Sequence, residues 1–341
     1  MSEERMRILK MIEEGTITAE EGEKLLTAVE EKNNQTSSSE KRYGIKDFIG
    51  EAVEKIKNAD FDLTFGESFR FEHTEELEKK DFNDIDIQIA NGSLDIETWK
   101  EDFAKAELEV KVYQVSSEEE AKERFFTDSQ LNIHNGILRV ASPSKKIKTN
   151  VHLYIPDDHY EFFKTKLSNG TLNAFGLASN HIQVKTANGS LRLNDMKGSS
   201  CKAETGNGSI QVVGAALDEC QADTINGSIK LIGEFGKAHA SAVTGSVVVE
   251  NKGTRANSGF FKTTTGSVIV HLPPAREIEG KLKTSFGSID CRLENYKILN
   301  NKKEVMNKQL EFEAFEQYED TYHIEAETKT GAVTIIPAKQ L

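Results

Sequence analysis

The chain has 341 residues, 29% of them charged and 37% hydrophobic, with a formal net charge of -13. That length allows two or three domains, the apolar content is too high for disorder throughout, and the acidity sets nucleic acid aside, because neutralising phosphates takes Lys and Arg. No run approaches the roughly 18 apolar residues of a membrane-spanning helix, and MSEERMRILKMIEEG lacks the apolar core of a signal peptide, so a cytoplasmic chain is expected, with a peripheral place at the inner face of the membrane left open.

Residues 1–32 read as a helical hairpin. Met6, Ile8, Leu9, Met11 and Ile12 recur at helical spacing, Gly15 ends the first helix, and Thr18 with Glu21 forms a capping box for the second, whose apolar face is Leu25, Leu26 and Val29. Two short helices bury too little to stand alone, so the unit must self-associate or dock. Residues 33–44 form a polar, Ser-rich linker. The third unit, 45–80, opens with an amphipathic helix carrying Ile45, Phe48, Ile49, Ala52, Val53 and Ile56 on one face. That helix has three readings: membrane contact, a partner helix, or packing on the domain that follows. Phe61, Phe65, Phe69 and Phe71 then read as an aromatic cap for the end of a repeat array, or as an exposed patch for a partner or lipid.

From 81 to 341 the chain repeats itself. Aligned on their turn glycines, the copies centre on Gly92, Gly170, Gly189, Gly208, Gly227, Gly245, Gly266, Gly287 and Gly331, and from Gly170 to Gly287 the spacings are 19, 19, 19, 18, 21 and 21. Two residues after each glycine stands Leu, Ile or Val, as in Leu94, Leu191 and Val268; four after stands a second apolar column, as in Ile96, Leu193 and Cys291. Alternation of period two with one apolar face is a half-buried strand. A column that stays apolar in every copy predicts copies stacked in register, a parallel β-solenoid of coils of about 20 residues. At least eight coils at ~4.8 Å each make a rod roughly 40 Å long.

The turn chemistry has its own expectations. Asn and Gly before the serine both tolerate positive φ, the serine can bond locally to backbone, and a threonine three residues before the glycine, as in Thr186, Thr205 and Thr224, can bond along its ladder to the next threonine. Between Gly92 and Gly170 the period fails. A strand (KAELEVKVYQV), a short helix (SSEEEAKERFF), a strand pair around Asn135-Gly136 and a strand (KTNVHLYIPDD) read as irregular first coils or a small entry module. Residues 295–328 interrupt the last two coils with a charged loop or excursion.

Chemistry is sparse. The Asn-Gly-Ser/Thr triplets match a glycosylation acceptor but are explained by the turn. Cys201 and Cys220 fall in one column of neighbouring coils, Cys291 in the inner apolar column, and all three read as small buried hydrophobes. The eight histidines are scattered, with no HExxH or His-Cys spacing. Asp86, Asp95, Glu97 and Asp290 are too dispersed to nominate as an acid–base pair. No catalytic, cofactor-binding or metal-ligating residue is expected.

The NGSL/I turns, the LYIPDD and VHLPP strand ends and the unit LSNGTLNAFGL resemble the putative-adhesin family of β-strand-repeat proteins of unknown function, over roughly residues 80–338. RILKMIEEGTITAEEGEKLLTAV resembles the bihelical N-terminal domain of the YvlB/LiaX type. The resemblance implies a Firmicute protein of the cell-envelope stress response, alongside PspC-type membrane proteins, and brings no catalytic residue. The expectation is a mainly β chain: a non-enzymatic scaffold whose Ile8, Ile12, Leu25, Leu26, Phe48, Ile49 and Val53 contact a protein partner, or a second copy, near the membrane. The alternative is a surface adhesin or ligand-binding solenoid.

Overall fold

The computed structural model describes residues 67–77, 82–304 and 306–338. The chain divides into two compact units, Met1–Asp62 and Leu63–Leu341, and every described residue belongs to the second. The expected hairpin, linker and amphipathic helix lie outside the described residues.

The described chain enters through β1 (Ser68–Leu77), β2 (Asp84–Asn91), β3 (Leu94–Trp99) and β4 (Ala104–Tyr113), passes through α1 (Glu118–Asp128), and continues as β5 (Gln130–His134), β6 (Ile137–Ser142) and β7 (Ile147–Pro156). Long and short strands then alternate: β8 (His159–Asn169), β9 (Leu172–Phe175), β10 (Ala178–Asn188), β11 (Leu191–Asn194) and β12 (Lys197–Asn207). Next, β13 (Ile210–Asn226) and β14 (Ile229–Thr244) each run from the short position into the long one. The rest are β15 (Val247–Asn251), β16 (Ser258–Thr265), β17 (Val268–His271), β18 (Glu277–Thr284), β19 (Ser288–Cys291), β20 (Tyr296–Lys303), β21 (Lys308–Ala314), β22 (Thr321–Thr330) and β23 (Ala332–Ile336).

These strands pair in register into two stacks, a mainly β, solenoid-like arrangement. The long-strand stack runs β5, β6, β2, β8, β10, β12, β13, β14, β16, β22, β18, β21, β20. The short-strand stack runs β1, β4, β7, β3, β9, β11, β13, β14, β15, β17, β23, β19. All pairs between β6 and β18 in the first stack, and between β7 and β19 in the second, are parallel.

Spatial order departs from chain order at both ends. The coil of β2 and β3 lies between that of β6 and β7 and that of β8 and β9, and the coil of β22 and β23 lies between those of β16/β17 and β18/β19. The physical reason is end coverage. A bare terminal coil exposes apolar side chains and unpaired backbone. By starting one coil in and running outward, the chain lays its own antiparallel strands over the end: β4 on β7 and β1 on β4 at one end, β21 on β18 and β20 on β21 at the other. Residues 295–328 are therefore a strand hairpin and a core coil rather than a loop. At the first end α1 adds cover. Ser117 caps it, accepting from Glu120 N at 3.1 Å, and Phe125 is buried 5.7 Å from Phe71.

The core is the stack of inward columns. Leu94, Leu172, Leu191, Ile210, Ile229, Val247, Val268 and Val333 are each 0% exposed, and each such side chain contributes roughly 1.5–3 kcal/mol on burial.

Three turn columns behave differently from expectation. Within the Asn-Gly-Ser/Thr turns positive φ falls on the glycine, as at Gly189 (φ 148), where a Cβ would sit on the carbonyl oxygen of Gly170. None of the asparagines before them has positive φ. Asn91, Asn169, Asn188, Asn207 and Asn226 instead form a side-chain amide ladder, each Nδ2 donating to the Oδ1 of the coil before at 2.8–2.9 Å and Asn91 closing on Lys145 O. The threonine hydroxyls do not bond to one another. Thr186, Thr205, Thr224, Thr263, Thr284 and Thr328 donate to glycine carbonyls of the neighbouring coil at 2.8–3.2 Å, because the glycine turn brings a carbonyl closer than the next hydroxyl. The serines also bond between coils: Ser190 Oγ accepts from Ser209 N, and Ser228 Oγ from Ser246 N.

Candidate binding surfaces

With the repeated polar groups spent between coils, the chemistry that differs from coil to coil lies at the outward positions. On the long-strand face the outward column beginning at Asp84 continues through Phe162, His181, Ser200, Glu219 and Lys237. Alternation turns Phe163 inward, fully buried, and leaves Phe162 outward and 49% exposed. Its ring stacks on His181, centroids 5.0 Å apart at 26°. His181 Nδ1 lies 2.9 Å from Ser200 Oγ. A cleft of about 370 Å³ opens there, lined by Phe162, His181, Asp84, Asp86, Lys164 and Lys202 among others.

Two of the charges lining this cleft are held in ion pairs. Arg139 holds Asp86 at 3.0 Å and Lys202 holds Glu204 at 2.9 Å. That hydrogen bond pushes the Lys202 ammonium above its ordinary range and holds the Glu204 carboxyl below its own, so both stay charged at neutral pH. The cleft offers a ring face, hydrogen-bonding groups and balanced charge, which suits binding a ligand with a planar or apolar part.

On the short-strand face the rings of Trp99, Tyr154 and His152 run in a stack, with centroids 5.2 Å and 4.3 Å apart. Trp99 Nε1 donates to Phe103 O at 2.8 Å, and His152 Nε2 lies 3.5 Å from Glu97. Farther along, Val248 and Ile269 are outward and half-buried.

The carboxylates weighed from sequence each find a separate partner: Asp86 with Arg139, Asp95 with Asn173, Glu97 with His152 and Asp290 with Arg292. Cys201 and Cys220 are buried free thiols in register on neighbouring strands, in the column of Phe163 and Ile182. The hydrogen bond with the neighbouring Cys201 thiol, and then burial, push the Cys220 thiol well up. Among the described residues no group of three or more His, Cys, Asp or Glu is placed to hold a metal ion. Ile8, Ile12, Leu25, Leu26, Phe48, Ile49 and Val53 lie outside the described residues. Sequence reading missed Phe162 and His181, although an aromatic at an outward position of an otherwise polar column was the available signal.

Stacked strand repeats with non-repeating outward faces define a β-strand-repeat protein. Residues 78–335 match the family described as Toastrack DUF4097, and the chain belongs to that family. Residues 3–34 match a SHOCT-like domain. The chain is 33% identical over 210 residues to the uncharacterized protein YvlB of Bacillus subtilis (strain 168), a stretch that covers 54% of this chain and 56% of that relative. The chain thus spans about half the length of the curated relative it matches. Solved structures of similar arrangement include a "putative adhesin" from Bacteroides fragilis (10% identity, TM-score 0.39, covering 78% of this chain and 97% of that one). Another is a "putative lipid binding protein" from Parabacteroides distasonis (12% identity, TM-score 0.32, covering 78% and 96%).

Proposed function

We propose that the chain is a non-enzymatic scaffold of the bacterial cell-envelope stress response. It docks on a protein partner at the inner face of the membrane through its N-terminal helices and presents the solenoid as a rigid body. The observation that carries the scaffold reading is the fate of the repeated polar groups: amides, hydroxyls and carbonyls of the turns are consumed between coils, so among the described residues no turn group recurs free on the outside. Partner contact is placed in the N-terminal unit because two short helices, expected where residues 3–34 match a SHOCT-like domain, bury too little to stand alone. No helix among the described residues is long and apolar enough to cross a membrane, so in this reading the membrane is reached through a partner of the PspC type. Co-flotation of the full chain with proteoliposomes carrying such a membrane protein tests it. Recruitment that the double substitution L25D/L26D abolishes is expected, and flotation indifferent to that change sinks the reading.

A second reading, a ligand-binding or adhesive solenoid, is favoured by the exposed Phe162–His181 pair over its cleft. It predicts that binding is lost in Phe162→Ala and kept in L25D/L26D.

A further inference from the structure

The two stacks do not end alike. Beyond the last parallel coil the long-strand stack gains two more strands, β21 and β20. The short-strand stack stops at β19, four residues long, which pairs with β23 on one side and with no strand among the described residues on the other. Its inward side chains show the missing cover. Ile289 and Cys291 are only partly buried, whereas Val333 and Ile335, the same columns one coil in, are 0% exposed. A cleft of about 330 Å³ lies against this edge, lined by Ile289, Cys291, Tyr296, Lys302, Lys303 and Lys308 among others, with no Asp or Glu in its wall. Lys308 donates to Gly287 O at 2.7 Å, while Lys302 and Lys303 are exposed and make no ion pair among the described residues. In a chain of net charge -13 this is a local cationic mouth.

We propose that the free edge of β19 takes an extended acidic peptide segment as one further strand. Backbone pairing along β19 supplies the register, alternate apolar side chains of the peptide cover Ile289 and Cys291, and its carboxylates face Lys302 and Lys303. The charge of the mouth selects an acidic segment over a basic one. The site is on the solenoid and does not depend on the docking assigned to the N-terminal helices.

The test uses the full chain and a fluorescein-labelled, N-acetylated hexapeptide, Glu-Val-Asp-Ile-Glu-Val, with a control in which Lys replaces each acid. Anisotropy reads binding at low and high salt, and hydrogen exchange by mass spectrometry reads the amides of 286–293. The acidic peptide is expected to bind, more weakly in high salt, and to protect those amides. The surface double variant K302E/K303E is expected to weaken it at least tenfold without altering the fold, and the lysine peptide should not bind. No binding, protection confined to other strands, or indifference to K302E/K303E overturns the proposal. So does concentration-dependent self-association that protects the same amides without peptide, which assigns the edge to a second copy.

Discussion

Asn188 donates from Nδ2 to Oδ1 of Asn169 at 2.8 Å across two coils, and accepts at its own Oδ1 from Asn207 at the same distance. The side chain is exposed, so each bond is made against competition from water. Removing both with Asn188→Ala is expected to cost about 1–2 kcal/mol, read by urea unfolding at pH 7. A loss no larger than that of Asn132→Ala, an exposed strand asparagine whose side chain makes no hydrogen bond among the described residues, would show that the ladder contributes nothing.

Glycine is required at the turn for two reasons that a matched pair separates. Gly189 has φ 148 and a Cβ there would meet Gly170 backbone, whereas Gly136 has φ 75 and open space around it. Gly136→Ala carries only the left-handed backbone cost, about 1–2 kcal/mol. Gly189→Ala adds the collision and should lose about 3 kcal/mol or more. Equal losses in thermal unfolding would place the cost in φ alone.

The buried threonines divide the same way. Thr205 Oγ1 donates to Gly189 O at 2.9 Å, while Thr165 Oγ1 is buried with no partner among the described residues, in a column otherwise filled by Ile87, Val184 and Ala203. Thr205→Val should destabilise by about 1–2 kcal/mol, and Thr165→Val should be neutral or stabilising by up to about 1 kcal/mol. A destabilised Thr165→Val would mean that its hydroxyl is satisfied after all.

Cys220 sets a pH dependence. Its thiol is held protonated in the fold, whereas the unfolded chain ionises near pH 8.5. The contribution is therefore intact below that value and is lost as pH rises from there towards the folded pKa, at no more than about 1.4 kcal/mol per pH unit. Stability measured from pH 7 to 10 should fall less steeply in Cys220→Ala than in the native chain, whatever the offset from the lost sulfur. Parallel curves would contradict the assignment.

What could be read from sequence follows from locality. The columns two and four residues after each glycine were legible because alternation and a near-constant period act within one coil and its neighbour. The exchange of coil order at the ends was not. Gly92 and Gly331 look like any other copy, and their places in the stack are decided by strands that must fold back to cover an end. The long gaps from Gly92 to Gly170 and from Gly287 to Gly331 were the trace, and they do not say which coil is displaced. Residue types at the turn were legible but their partners were not, since Thr205 chooses between a hydroxyl and a carbonyl of the next coil on distances that only the stack sets. Phe162 hid for another reason: beside Phe163 it breaks the alternation, and only aligning Phe163 with Ile182, Cys201 and Cys220 in the neighbouring copies shows that Phe162 faces out.

The most direct measurement of the central claim is the affinity of the full chain for a PspC-type membrane protein in nanodiscs, compared across L25D/L26D, F48D/I49D and Phe162→Ala. A scaffold that docks through its N-terminal helices predicts at least a tenfold loss in one or both helix variants, an unchanged Phe162→Ala, and an unaltered far-UV strand signal in all three. Undiminished affinity in both helix variants with loss in Phe162→Ala would contradict it and move recognition onto the solenoid face.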